Sequence, residues 1–204
     1  MILYPSFLKF QSYRVQRQLR SEFENFIENE PKPINQQLDL AGHQRDMGEI
    51  TPFEEVIPPK LTEFPPTEIR IPSITVSTMV VVGESIEAFS DINHQPGYYP
   101  DSAFPGMGNV LIGGHRGGPA GYFRKLNELK AGDEIMLRTP RHTYHYSVNT
   151  VKVVERDDWS IAQENGENML TLTTCQGEGS DTSAKRLVVQ SSLEKVTLHR
   201  LAER

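Results

Sequence analysis

The chain has 204 residues, is 37% hydrophobic and 24% charged, and carries a formal net charge of −6. That length suits one domain of about 100–150 residues with an appendage, and the acidic balance argues against nucleic-acid binding, which needs a broad basic face. No run reaches the roughly 18 apolar residues of a membrane-spanning helix, and a single cysteine, Cys175, excludes an intramolecular disulfide and paired Cys-x-x-Cys metal sites.

Residues 1–30 form the first segment. The opening Met1–Phe10 is apolar but too short for a secretory signal. From Ser12 to Ile27, Val15, Leu19, Phe23 and Phe26 or Ile27 recur at three- and four-residue steps, which predicts a charged helix with one apolar stripe. Pro31 and Pro33 end it. Lys9, Arg14, Arg17 and Arg20 stand among the first 20 residues without an acid. They fit a solvated helix face, or a stalk whose membrane span lies upstream of this start. Residues 31–67 hold Pro31, Pro33, Pro52, Pro58, Pro59, Pro65 and Pro66 and little periodicity. Proline removes donors and stiffens the chain, so a linker or draped arm is expected.

From Ile69 short β-branched runs alternate with Gly, Pro, Asn and Asp. Strands are predicted near Ile69–Val76, Met79–Val82, Val110–Gly114, Glu134–Arg138, Thr143–Glu155, Met169–Thr174 and Arg186–Ser191. Tyr122, Phe123, Leu126 and Leu129 predict one helix, with Gly132 as its left-handed cap. Many short strands and few helices indicate an all-β closed barrel or sandwich over residues 68–195, with 196–204 as a tail. His142 and His145, three residues apart in a strand, would face opposite sides and make a poor metal clamp.

The chain lacks Gly-x-Gly-x-x-Gly, the phosphate-binding loop and the Gly-x-Ser-x-Gly elbow. Three residues carry chemistry instead. Cys175 ends the run Met169–Thr174, where a strand hands over to a polar glycine loop. A thiol there is partly exposed on a rigid support, as a nucleophile needs; the spacing equally fits a buried structural thiol. His115 ends the run Asn109–Gly114, another strand entering a glycine loop, and the paired glycines leave room for a substrate chain. A lone histidine is also a common surface or core residue, but a cysteine and a histidine brought together make a nucleophile with a proton shuttle. Arg186 opens the strand after Cys175, and adjacent strands would return it beside the thiol, where a guanidinium can stabilise an oxyanion. An edge charge that blocks aggregation is the alternative.

Thr171-Leu172-Thr173-Thr174-Cys175, Arg186 at the head of an apolar strand and the upstream Gly114-His115 resemble the sortases, cysteine transpeptidases of the bacterial surface. The resemblance covers residues 67–193. Arg70–Ile74 is similar to the family's first strand, and Gly97–Asn109 to the stretch before the histidine in classes D and E. Phe123–Asp133, Tyr144–Val148 and Val153–Asp157 match too. The chain has no Asp-Pro-aromatic lid tripeptide of class C. Tyr98 stands where class D and E members often have His, and Glu155-Arg156-Asp157 where they often have Pro, departures that bear on the subclass only.

The resemblance implies a sortase-type barrel of about eight strands with one or two short helices, preceded by the N-terminal helix and Pro-rich arm. It implies catalysis by Cys175, His115 and Arg186, with Thr174 as a substrate-contacting candidate. The reaction would cleave a Thr–Gly bond in a sorting motif through a thioacyl-enzyme and pass the protein to an amine of the cell envelope. A hydrolase using water, or a non-catalytic surface-binding barrel, are the rivals. The implied partners are secreted surface proteins and a peptidoglycan precursor or protein amine, with the catalytic domain outside a bacterial membrane and an anchor upstream. No cofactor is expected; Glu84, Glu87, Asp91 and Asp101 form either a calcium site or a solvated acidic face.

Overall fold

The computed structural model describes residues 3–29, 64–82, 95–100, 102–118, 121–163, 165–177 and 184–199. Among the described residues one α-helix, α1 (Leu3–Asn29), precedes eight strands: β1 (Thr67–Ile71), β2 (Val76–Val82), β3 (Gly97–Tyr98), β4 (Asn109–Gly113), β5 (Glu134–Arg138), β6 (His142–Glu155), β7 (Met169–Cys175) and β8 (Lys185–Leu198). They close into a barrel in the order β1-β2-β3-β4-β7-β8-β6-β5. Closure gives every described strand two neighbours, so the sheet has no edge strand among the described residues. The predicted all-β barrel with a preceding helix is therefore what the chain forms.

Alternation decides which side chains fill the barrel. Ile69 and Ile71 of β1, Val110 and Ile112 of β4, Ile135 and Leu137 of β5, Leu170 and Leu172 of β7 and Leu187 and Val189 of β8 point inward and are buried in one core. Each such side chain contributes about 1.5–3 kcal/mol relative to an exposed one.

The sequence run Ile69–Val76 is divided rather than continuous. Pro72 cannot donate to a ladder, and Pro72–Ile74 form a 3-10 turn closed by Thr75 N–H on the Pro72 carbonyl at 3.1 Å, with Thr75 at φ 59°. β3, only two residues long, carries no periodic signal. It pairs parallel to β2 and antiparallel to β4. The helix expected over Tyr122–Leu129 is a single 3-10 turn, Leu126–Glu128. The helical spacing of Phe123, Leu126 and Leu129 reflects their burial, while Phe123 N–H goes to the His115 carbonyl at 3.2 Å. Gly132 is left-handed at φ 89°, but its N–H bonds the Val148 carbonyl.

Helix α1 lies against β2. Phe23 of the apolar stripe is buried. Beside it, Gln16 donates from Nε2 to the Met79 carbonyl at 3.1 Å and accepts the Met79 N–H at 2.7 Å. Two residues on, the same edge of β2 is taken over by β3, where Val81 N–H donates to the Pro96 carbonyl. The Gln16 amide therefore supplies the rung before β3 begins. No helix among the described residues is long and apolar enough to cross a membrane.

Candidate active site

β4, β7 and β8 lie side by side. β4 runs parallel to β7 with Gly113 opposite Thr173, and Gly114 N–H donates to the Thr173 carbonyl at 3.0 Å. His115 follows at once, two residues beyond Gly113 as Cys175 is two beyond Thr173. β8 runs antiparallel to β7 and sets Arg186 opposite Cys175. Three strands thus bring His115, Cys175 and Arg186 to the lining of one cleft, and Thr174 joins them. Cys175, the last residue of β7, is half-buried. The Thr174 hydroxyl is buried with no hydrogen-bond partner among the described residues.

The rest of the lining is Gln95, Tyr99, Thr173 and the paired glycines Gly113 and Gly114. A Cβ on Gly113 would sit 3.0 Å from the Tyr99 ring, and one on Gly114 would sit 2.7 Å from the Phe123 ring. Both glycines line the cleft, with the Tyr99 and Phe123 rings packed where a side chain would otherwise stand. Tyr99 shares a hydrogen bond with the Thr173 hydroxyl at 3.0 Å and meets Trp159 edge-on, with ring centroids 6.3 Å apart. Trp159 is 52% exposed on the β6–β7 connection. Asn109 pins that connection, donating to the Ile161 carbonyl and accepting from the Thr171 hydroxyl, both at 2.9 Å.

Gln95 also lines the cleft and is buried. Its Oε1 accepts from Gln16 Nε2, which connects α1 to the cleft wall. Arg116, next to His115, hydrogen-bonds the main chain at the end of β7. Only adjacency to the histidine marks Arg116 in the sequence, and nothing marks Gln95. Tyr99 falls in the Gly97–Asn109 stretch that carried part of the resemblance.

A nucleophile, an imidazole and a guanidinium converging on one cleft can perform acyl transfer: attack on a carbonyl, proton delivery to the departing group and charge stabilisation. Among the described residues no group of three or more His, Cys, Asp or Glu could hold a metal ion. Glu84, Glu87, Asp91 and Asp101 lie outside the described residues, as do residues 178–183 between β7 and β8.

Comparison with known proteins gives a consistent result. A sortase-domain family model matches residues 69–194. Sortase D of Bacillus subtilis is 31% identical over 109 residues, covering 52% of this chain and 52% of that protein. Sortase A of Bacillus anthracis is 34% identical over 89 residues, covering 43% of this chain and 41% of that protein. The chain therefore spans about half the length, or less, of these curated relatives. Among solved structures, a sortase D5 transpeptidase of Clostridium perfringens superposes with a TM-score of 0.55 at 26% identity, covering 64% of this chain and 79% of that one.

Proposed function

The chain belongs to the sortase family, and on that premise we propose that it is a cysteine transpeptidase acting on secreted proteins at the bacterial cell surface. The Cys175 thiolate attacks the threonine carbonyl of a sorting motif of Leu-Pro-x-Thr-Gly or Leu-Ala-x-Thr-Gly type. The Thr–Gly bond breaks, and His115 gives its proton to the departing glycine amine. Arg186 holds the substrate carbonyl and stabilises the oxyanion of the tetrahedral intermediate. The thioacyl-enzyme is then resolved by an amine of the cell envelope, from which His115 takes a proton. Thr174, next to the nucleophile, contacts the bound acyl group through its main chain, its hydroxyl being buried.

The observation that carries this reading is the shared cleft of His115, Cys175 and Arg186, set by the Gly113–Thr173 and Cys175–Arg186 pairings. Kinship with a sortase D supports a class D-like enzyme. Sortase kinship supports placing the barrel at the outer face of a bacterial membrane.

The test is incubation with a panel of sorting-motif peptides and amines such as oligoglycine or a diaminopimelate-like acceptor, read by mass spectrometry. An acyl adduct on Cys175 and an amine-ligated product are expected, and Cys175→Ala forms neither. A product that stays free acid at saturating amine makes the protein a hydrolase. Peptide binding that persists with no adduct makes it a non-catalytic barrel.

A further inference from the structure

Cys175 and His115 sit on different elements, and the ladder between those elements stops short of both. Its last rung is Gly114 N–H on the Thr173 carbonyl. Beyond it, Gln176 is tied on the β8 side, its N–H donating to the Lys185 carbonyl at 3.1 Å. On the β4 side, a side chain takes the place of the missing rungs. Nη1 of Arg116 donates to the Gln176 carbonyl at 2.6 Å and reaches the Cys175 carbonyl at 3.5 Å. Nη2 of the same residue donates to Asn127 Oδ1 at 3.0 Å.

The segment that carries Arg116 is itself held. The His115 carbonyl accepts from Phe123 N–H at 3.2 Å, and the Arg116 carbonyl from Arg124 Nε at 3.4 Å. One planar guanidinium, with donors fixed in a fork, therefore ties the loop after β4 to the end of β7 and to the 3-10 turn Leu126–Glu128.

We infer that Arg116 is a positioning residue for the Cys175–His115 pair: by bonding the carbonyls on and after the nucleophile, it sets the separation of thiol and imidazole. The inference rests on the transpeptidase reading above and adds to it a residue that touches no substrate. Transfer of a proton between two groups on separate elements is sensitive to small displacements, and a misplacement of about 1 Å costs on the order of a hundredfold. A lysine cannot replace the fork, because a single ammonium does not reach acceptors on two elements in fixed geometry.

Arg116→Ala, Arg116→Lys and Asn127→Ala are compared with the parent in three measurements: kcat and KM with a sorting-motif peptide, the rate of Cys175 alkylation by iodoacetamide, and the melting temperature. For Arg116→Ala the expected result is a kcat lowered about ten- to hundredfold with KM within about twofold, and slower alkylation. Arg116→Lys recovers only part of this, and Asn127→Ala gives a smaller loss of the same kind. Parent-like kcat and alkylation in Arg116→Ala overturn the inference, as does a loss confined to KM or to melting temperature. If Arg116→Ala does not fold, the lysine and Asn127 variants decide by the same criteria. If the parent forms no acyl adduct, the transpeptidase reading fails, while the alkylation rates still decide whether Arg116 positions the thiol.

Discussion

Gly113 and Gly114 decide where the imidazole can go. The strand leaving the barrel at this point is gripped by Tyr99 on one face and Phe123 on the other. The two contacts differ in tightness. A methyl on Gly113 meets the Tyr99 ring at 3.0 Å, and one on Gly114 meets Phe123 at 2.7 Å. Phe123 is fully buried in the core, so it has nowhere to move. Gly114→Ala should therefore lose about 1–3 kcal/mol of stability, the usual cost of overpacking, and should displace His115 enough to depress turnover more than peptide binding. Urea denaturation and steady-state kinetics read the two effects. A variant as stable and as active as the parent would show that the ring gives way and that the glycine is not needed there.

At the level of elements, the strands were the most legible part of the sequence, because alternation of inward β-branched residues is a local signal. Glu134–Arg138 stands in the structure with the bounds expected from sequence. What the local pattern does not show has its cause elsewhere in the chain. β3 is two residues long and exists only because β2 and β4 flank it. The helical spacing of Phe123, Leu126 and Leu129 marks burial, which a 3-10 turn satisfies as well as a helix. For the candidate site, the meeting of Cys175, His115 and Arg186 at one cleft is legible because strand ends and glycine loops frame them. Arg116 and Gln95 were not, since their partners are a distant main chain and a distant helix. The apolar stripe of α1 was visible too, but not Gln16, whose role follows from an open rung on β2. Replacing Gln16 with Ala removes both bonds to Met79 and should cost about 1–3 kcal/mol. Hydrogen exchange should show the Met79 amide losing protection while amides of β5 and β7 keep theirs. Unchanged protection at Met79 would mean that α1 does not hold the edge.

Across the whole molecule, the net charge of −6 conceals a local excess of the opposite sign. Glu68, buried on β1, receives Arg20 of α1 at 2.9 Å, Arg70 of β1 at 3.0 Å and Arg138 of β5 at 2.8 Å. Ser77 of β2 donates to the same carboxylate at 2.9 Å. Glu68 and Arg138 are register partners on the β1–β5 seam that closes the barrel. One carboxylate therefore joins the helix, the seam and the first hairpin. Burial alone would raise its pKa, but the Ser77 hydrogen bond, the Arg70 hydrogen bond and charge, and the Arg20 charge outweigh it and hold the carboxyl below its ordinary value of 4.5. The folded chain binds this proton less tightly than the unfolded one. The stabilisation is thus fully present above the ordinary value and drains away as pH falls through the lowered native value. Denaturant midpoints measured from about pH 7 to about pH 3 should fall steeply at the acid end for the parent. Glu68→Gln should be less stable at neutral pH, where three guanidiniums lose their anion, and its acid decline should be shallower. Parallel declines in the two proteins would show that Glu68 is not the group through which acid opens the barrel seam.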